Sequence, residues 1–413
     1  MSKVFTLKDC CSFQEGYVNP SQKISSYFGG GIKWLRASDL NGAYVYNTER
    51  TLSDSGYKSA GKSAKMFAKD TIAISKSGTI GAIGILKKEM CGNRAVINIA
   101  VDGKKADLKY VFYTLKYKKA ELVSKAGGSI QKNLYVSALE TLPLNHSLLK
   151  EQVKISSVLS AIDAKIELNN RINTELETMA KTLYDYWFVQ FDFPDANGKP
   201  YKTSGGKMAY NPVLKREIPE GWIGSNILTV ADLLGGGTPT KNKPEYWNGS
   251  IPFFTPTDSD KRVFTLATEH YITKAGLKNS STRLFDKNTV FITARGSVGR
   301  LALNAVPMAM NQSCYALRVK EGISYVFLFY LTKELIYHLK VKASGSVFNS
   351  IVSNDIEYTN LAIPQDINLI EEFAEKVEPI FETIELLMRE NQQLSSLRDW
   401  LLPMLMNGQV TVK

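Results

Sequence analysis

Phe67-Ala-Lys-Asp-Thr-Ile-Ala-Ile-Ser-Lys-Ser-Gly-Thr-Ile-Gly81 is written a second time as Phe285-Asp-Lys-Asn-Thr-Val-Phe-Ile-Thr-Ala-Arg-Gly-Ser-Val-Gly299, an offset of 218 residues. Asn93 keeps that offset to Asn311. Upstream, Tyr27-Phe28, Ile32 and Asp39 return at 219 as Tyr246-Trp247, Ile251 and Asp258. Downstream, Lys125-Ala-Gly-Gly-Ser129 returns at 217 as Lys342-Ala-Ser-Gly-Ser346, and Pro143, Asn170 and Leu176 return at 221 as Pro364, Asn391 and Leu397. So many ordered matches with a slowly drifting offset are one ancestral half written twice, with small loop insertions.

Each half reads as a globular part followed by a long helix. Thr71-Ile-Ala-Ile-Ser75 and Thr289-Val-Phe-Ile-Thr293 are β-branched runs that end in turn residues, as strands do. The steps Gly78/Gly81 and Gly296/Gly299 suit a tight turn. Neither carries the Gly-Lys-Ser/Thr ending of a phosphate-cradling loop, and neither opens a clear helix.

In the first helical part Leu159, Ile162, Ile166, Leu176 and Leu183 recur at three- and four-residue steps, with Asn169 and Asn173 in the middle. In the second, Phe373, Val377, Ile380, Ile384, Leu387, Leu394, Leu401 and Leu405 do the same, with Asn391 and Arg398 interrupting. That narrow stripe is a coiled-coil seam, and about 40 residues of helix reach about 60 Å. A helix with one apolar seam needs a partner. Each half supplies one, and because a globular part lies between them the pair must run antiparallel. The polar seam positions either fix register or are solvated at a wider crossing. Pro379 is expected to kink or interrupt the second helix. The density of Pro, Gly, Asn and Asp after Phe191 marks a linker. The chain thus divides into a globular domain over 1–146, a long helix over 147–189, a linker over 190–220, a second globular domain over 221–366 and a second long helix over 367–413. The expected architecture is two α/β (α+β) domains, duplicated with pseudo-twofold symmetry and separated by two long antiparallel coiled-coil helices.

The net charge of +11 is unevenly spread. Residues 1–146 hold 22 Lys+Arg against 11 Asp+Glu, and residues 190–366 hold 20 against 15, whereas both helical parts are slightly acidic. Segregated basic blocks point to a polyanionic partner. Cys10, Cys11, Cys91 and Cys314 have no CxxC spacing, and His146, His270 and His338 are too few for a zinc cluster, so buried reduced thiols and no metal are expected. No apolar run reaches the roughly 18 residues of a membrane span; the longest, Tyr325 to Leu331, reads as a buried strand or helix segment. MSKVFTLKDC has no signal-peptide apolar block, and a cytoplasmic location is expected. Catalytic residues are not found. Asn19-Pro20-Ser21 and Asn211-Pro212-Val213 lack the second proline of an amino-methyltransferase loop. Pro194-Asp195 with Lys199 sits in a turn-rich stretch without the second carboxylate of a metal nuclease.

Tyr186-Trp-Phe-Val-Gln-Phe-Asp-Phe-Pro-Asp-Ala-Asn-Gly-Lys-Pro-Tyr-Lys202, Gly205-Gly206-Lys207-Met208 and Ile218-Pro-Glu-Gly-Trp222 resemble the central region of Type I restriction–modification specificity subunits. Gly237-Thr-Pro239, Tyr246-Trp-Asn-Gly249, Arg295-Gly-Ser-Val-Gly-Arg300 and Met310-Asn-Gln-Ser-Cys314 resemble that family's second target-recognition domain. The ending Leu397-Arg-Asp-Trp-Leu-Leu-Pro-Met-Leu-Met-Asn-Gly-Gln409 is similar to its C-terminal helix. As a set these motifs cover essentially the whole chain; the first globular part departs most. The resemblance implies two target-recognition domains, each reading one half of a split asymmetric site in double-stranded DNA. It also implies a helical spacer that docks two modification (methyltransferase) subunits, which motor–nuclease restriction subunits then join. It implies no cofactor on this chain; S-adenosylmethionine, ATP and Mg belong to the partners.

DNA binding needs cations for phosphates and amide, hydroxyl or guanidinium groups for base edges. The candidates are Lys33, Arg36, Lys58, Lys62, Lys65, Lys76 and Arg94 in the first half. In the second they are Thr238, Lys241, Lys243, Arg262, Arg283, Arg295 and Arg300. Each is either a DNA contact or an ordinary solvated surface group. Asn93 and Asn311, shared by both halves, are expected to stabilise a turn, because base readers should differ between heads; Tyr246 and Trp247 are expected in the core. Two rival readings stay open: a duplicated enzyme of nucleic-acid metabolism, and a coiled-coil protein–protein scaffold with incidental basic domains.

Overall fold

A computed structural model describes residues 4–127, 132–145, 148–260, 262–343 and 349–412. His146, and residues 128–129 and 344–346 of the repeat at Lys125–Ser129 and Lys342–Ser346, lie outside them. The chain forms two compact units, Met1–Leu168 with Asn391–Lys413, and Asn169–Glu390.

In the first unit a five-stranded sheet runs Cys11–Glu15, Val96–Val101, Ile72–Ser75, Ile83–Leu86, Tyr44–Val45. A four-stranded sheet runs Thr51–Leu52, Phe28–Leu35, Met90–Gly92, Met66–Phe67. The second unit repeats both orders: Ala231–Gly235, Cys314–Val319, Val290–Thr293, Leu301–Asn304, Phe264–Thr265, and then His270–Ile272, Trp247–Phe254, Met308–Met310, Leu284–Phe285. Register repeats too, Ile72 opposite Ile85 and Val290 opposite Leu303. Even an irregularity is copied: the ladder slips between Phe28 and Ile32, and between Trp247 and Ile251. Gly29 and Asn248 take the required positive φ there, a conformation glycine adopts freely and asparagine tolerates.

The central strands are buried on both faces, which is why Val290–Thr293 is a continuous apolar run closed by one threonine. Over the first sheet lies the helix Leu108–Tyr117, capped by Asp107, whose carboxylate accepts from Tyr110 N at 2.8 Å. Its Tyr110, Val111 and Leu115 pack on Ile72, Ile74, Ile83, Ile97 and Ile99. In the second unit the long apolar run becomes the helix Tyr325–Lys342, started by the Ser324 hydroxyl and buried from Val326 to Thr332.

The long helices span Leu149–Tyr184 and Ile367–Met406. In the first unit Asn145 bonds the Met406 carbonyl, while Asp163 meets Arg398, so the contacts run in opposite chain directions and the pairing is antiparallel. In the second unit Asn169 Nδ2 donates to Glu390 at 2.8 Å, and Tyr184 packs on Phe373. Leu159, Val377 and Ile384 are buried; Ile162, Ile166, Leu176, Leu183, Ile380, Leu387, Leu394 and Leu401 are half-buried. The tightest positions include Ile155 and Ala180, which continue the first seam, and Phe381, Met388 and Leu402, which the second seam passes over. The stripe is wider than a seam because the helices also serve the globular cores: Phe381 packs against Phe264, Tyr325 and Phe329. The polar interruptions are internal contacts rather than solvated gaps. Asn169 and Asn173 are buried, and Arg398 Nη1 lies 2.8 Å from Asp163 Oδ1, which also accepts from the Tyr113 hydroxyl at 2.6 Å on its other oxygen.

Pro379 does not interrupt the second helix. It is exposed, as is Glu375 one turn earlier, so the carbonyl that loses its helical donor is left to water. The connector after Phe191 is an ordered segment. Phe193 stacks on Tyr201 and Trp222, the Asp192 carboxylate accepts from Thr203, and Met208–Asn211 pairs with Arg216–Pro219.

All four cysteines are free thiols. Burial pushes Cys91 and Cys314 up to about 12, so neither is an activated nucleophile. Both should resist maleimide labelling in the native protein and react on denaturation; rapid native labelling of Cys314 would contradict this packing. Replacing Asp163 by alanine leaves the half-buried Arg398 with Asp399 alone and removes the acceptor of the Tyr113 hydroxyl, and should cost about 1–3 kcal/mol in denaturant unfolding.

Candidate nucleic-acid interface

Both heads carry their loops on the same frame. In the first, the turn Lys76–Gly81 has Gly78 and Gly81 at positive φ; the Ser75 hydroxyl bonds the Thr79 carbonyl and accepts from Ala82 N at 2.9 Å. In the second, Gly296 and Gly299 are at positive φ, and Thr293 plays the part of Ser75 toward Ser297 and Arg300. These are structural turns, as their glycine spacing indicated.

A second turn lies beside the first. Asn93 N donates to the Leu35 carbonyl at 2.9 Å, and its side chain accepts from Ala95 N at 3.0 Å. Asn311 repeats this with the Phe254 carbonyl at 3.0 Å and Ser313 N at 3.0 Å. The shared asparagines therefore hold the turn, and the residue that follows each one, Arg94 or Gln312, is the exposed one. Gly16 and Gly236 pass against these turns so closely that a Cβ would lie 2.2 Å and 2.1 Å from the Asn93 and Asn311 carbonyl oxygens. The two turns are tied together: Lys76 N donates to the Ala95 carbonyl, and Ala294 N to that of Ser313.

In the first head these turns, with Asn19 and with Asn133 to Tyr135, line a cleft of about 570 Å³. Its polar lining side chains are Lys76, Arg94, amides, hydroxyls and one acid, Glu15, with Ala95 and Leu134 between them. Lys76 Nζ is committed to Glu15 at 3.0 Å. The other candidates lie outside the cleft. Lys33 donates to Asn47 at 2.9 Å, and the half-buried Arg36 pairs with Glu49 and stands 5.7 Å over Trp34. Lys58, Lys62 and Lys65 are exposed on the segment after Asp54, with no ion pair among the described residues.

In the second head Thr238 donates its hydroxyl proton to Gln312 Oε1, and Arg295 is exposed on the neighbouring turn. Lys241 and Arg283 are exposed; Lys243 Nζ is 3.2 Å from the Tyr246 hydroxyl, a bond that raises its pKa. Arg262 and Arg300 belong to a different place, a cavity of about 590 Å³ shared with Glu177, Asp260, Phe329 and Lys333. There Arg262 pairs with Asp260, Arg300 donates to the Ser259 carbonyl at 2.9 Å, and burial holds Lys333 below the usual lysine range. Tyr246 is buried, and Trp247 packs edge-on against Phe253. A search for charge overlooked Asn19, Ser77, Tyr135 and Gln312. Gln312 was within reach, because the 218 offset that matches Asn93 to Asn311 carries Arg94 onto it. Among the described residues no group of His, Cys, Asp and Glu could hold a metal ion, and no helix is long and apolar enough to cross a membrane.

The signature of the family described as Type I restriction modification DNA specificity domain matches the chain twice, over residues 2–178 and 219–396. The chain is 28% identical over 410 residues to the Type I restriction enzyme MjaIX specificity subunit of Methanocaldococcus jannaschii, covering 96% of this chain and 91% of that one. It is 24% identical over 351 residues to the HindI specificity subunit of Haemophilus influenzae, covering 72% and 75%. In fold it is similar to the crystal structure of a Type I restriction–modification S subunit from M. genitalium, with a TM-score of 0.58 over 98% of this chain and 97% of that one at 16% identity.

Proposed function

This chain belongs to the Type I restriction–modification DNA specificity family, carrying its domain twice, and from that premise we propose that it is a non-catalytic two-headed reader of a bipartite, asymmetric DNA target. The observation that carries the reading is a common frame with unlike tips. Strand order and register repeat from head to head, while turn positions change: half-buried Ser77 against exposed Arg295, and exposed Arg94 against exposed Gln312. Side chains that only stabilised the fold would have no reason to diverge where the backbone does not. Side chains that read different half-sites would.

Phosphate contact falls to the exposed cations away from those turn tips, in the first head Lys58, Lys62 and Lys65, and in the second Lys241 and Arg283. Both long helices run through both units, so their length sets the interval between half-sites. Leu168, Ile172, Met179, Leu386, Leu397 and Trp400 leave apolar surface exposed on those helices, which suits the docking of two modification subunits. Methyl transfer from S-adenosylmethionine, ATP-driven translocation and cleavage, with its Mg, then belong to modification and restriction subunits in the cytoplasm.

A gel shift of the chain with its modification subunits, comparing specific and random duplexes, tests the reading; equal binding would leave only the scaffold. Alanine at Lys58, Lys62 and Lys65 should weaken all duplexes alike and flatten the salt dependence by about one charge per substitution. Inserting four residues in one helix seam adds about 6 Å, somewhat under two base pairs at about 3.4 Å each. The methylated target should then keep both half-sites and gain a longer interval. A changed half-site at constant interval would count against the ruler.

A further inference from the structure

Arg94 and Gln312 occupy one position on two copies of the same turn. Each follows an asparagine that fixes the turn through its side chain, and each turn is anchored by a backbone bond to the end of an inner strand. The neighbouring segment is also shared. Val18 N donates to the Gly92 carbonyl and Gly237 N to that of Met310, so Asn19-Pro20 stands where Thr238-Pro239 stands. With the backbone held constant, the difference between the heads here is one of side-chain hydrogen-bond pattern.

The two patterns are complementary to different bases. A guanidinium offers a fork of N–H donors and no acceptor, which matches O6 and N7 of guanine and sets donor against donor at the adenine amino group. A primary amide offers one acceptor beside one donor, which matches the adenine N6 amino group and N7. In the cleft of the first head Lys76 is held by Glu15, whereas Arg94 makes no ion pair among the described residues. In the second head Gln312 Oε1 accepts from the Thr238 hydroxyl. That contact holds the amide beside the Thr238 hydroxyl, which can meet either end of it, and leaves the rest of the donor–acceptor pair to a base edge.

We infer that Arg94 reads a guanine in the half-site of the first head, and that Gln312, oriented by Thr238, reads an adenine in that of the second. The assignment rests on the two-headed reading above and makes these residues determinants of specificity rather than of affinity alone.

The test uses the full chain assembled with its modification subunits and selected against a duplex library randomised across both half-sites. Arg94→Gln should lower the preference for guanine at one position of the first half-site by about tenfold to a hundredfold and raise adenine there, leaving the second half-site and the interval unchanged. Gln312→Arg should do the converse in the second half-site only. Thr238→Val keeps the side-chain shape but removes the hydroxyl; it should erode adenine over guanine at the Gln312 position without lowering the melting temperature, and Thr238→Ser should restore it. If Arg94→Gln instead weakens every duplex equally and flattens the salt dependence by about one charge, Arg94 is a phosphate contact and the assignment is overturned. Unaltered half-sites in both variants overturn it as well. A wild-type selection that enriches no sequence removes the two-headed reading itself, a failure distinct from the other two.

Discussion

A helix of some forty residues with one apolar stripe cannot leave that stripe in water, and a lone helix has nothing else to bury it against. In each unit the stripe of one long helix is covered by the other and by the sheet-and-helix core beside it. Leu159 and Leu405 share a core with Ile72 and Tyr110; Ala180 and Phe373 share one with Phe327 and Val290. The recognition domains are therefore not beads on a rod. Rod and bead have one interior, and the chain cannot fold either alone without exposing the other's apolar face.

Polar residues inside that interior set the register. Asn169 with Glu390, and Arg398 with Asp163 and Tyr113, are pairs that a slip of the helices by one heptad would break while returning apolar residues to apolar partners. Hydrophobic packing is tolerant of position, but hydrogen-bonded groups out of water are not.

The duplication was legible because it rests on identities at fixed spacing: turn glycines whose φ no other residue adopts cheaply, and asparagines whose side chains close the turns. Those positions are constrained by backbone geometry and keep their residue type. The helices were legible by period. Their true contact set was not, since Phe381 and Met388 answer to the globular core rather than to the partner helix. Charge counting names basic residues without their spatial partners. Arg36, Lys76 and Arg262 are committed to carboxylates that lie close in space, and no linear pattern announces Glu49 or Glu15 as their partners. Gln312 was passed over because it is neutral, although its place in the repeat marked it.

The two units differ in how the chain supplies them. Asn169–Glu390 is one unbroken stretch, whereas Met1–Leu168 is completed only by Asn391–Lys413. During synthesis the part of the first unit's core that Leu402, Leu405 and Met406 cover therefore stays open until the whole of Asn169–Glu390 has been made. The unit begun first is thus finished by a segment written after the whole of the other.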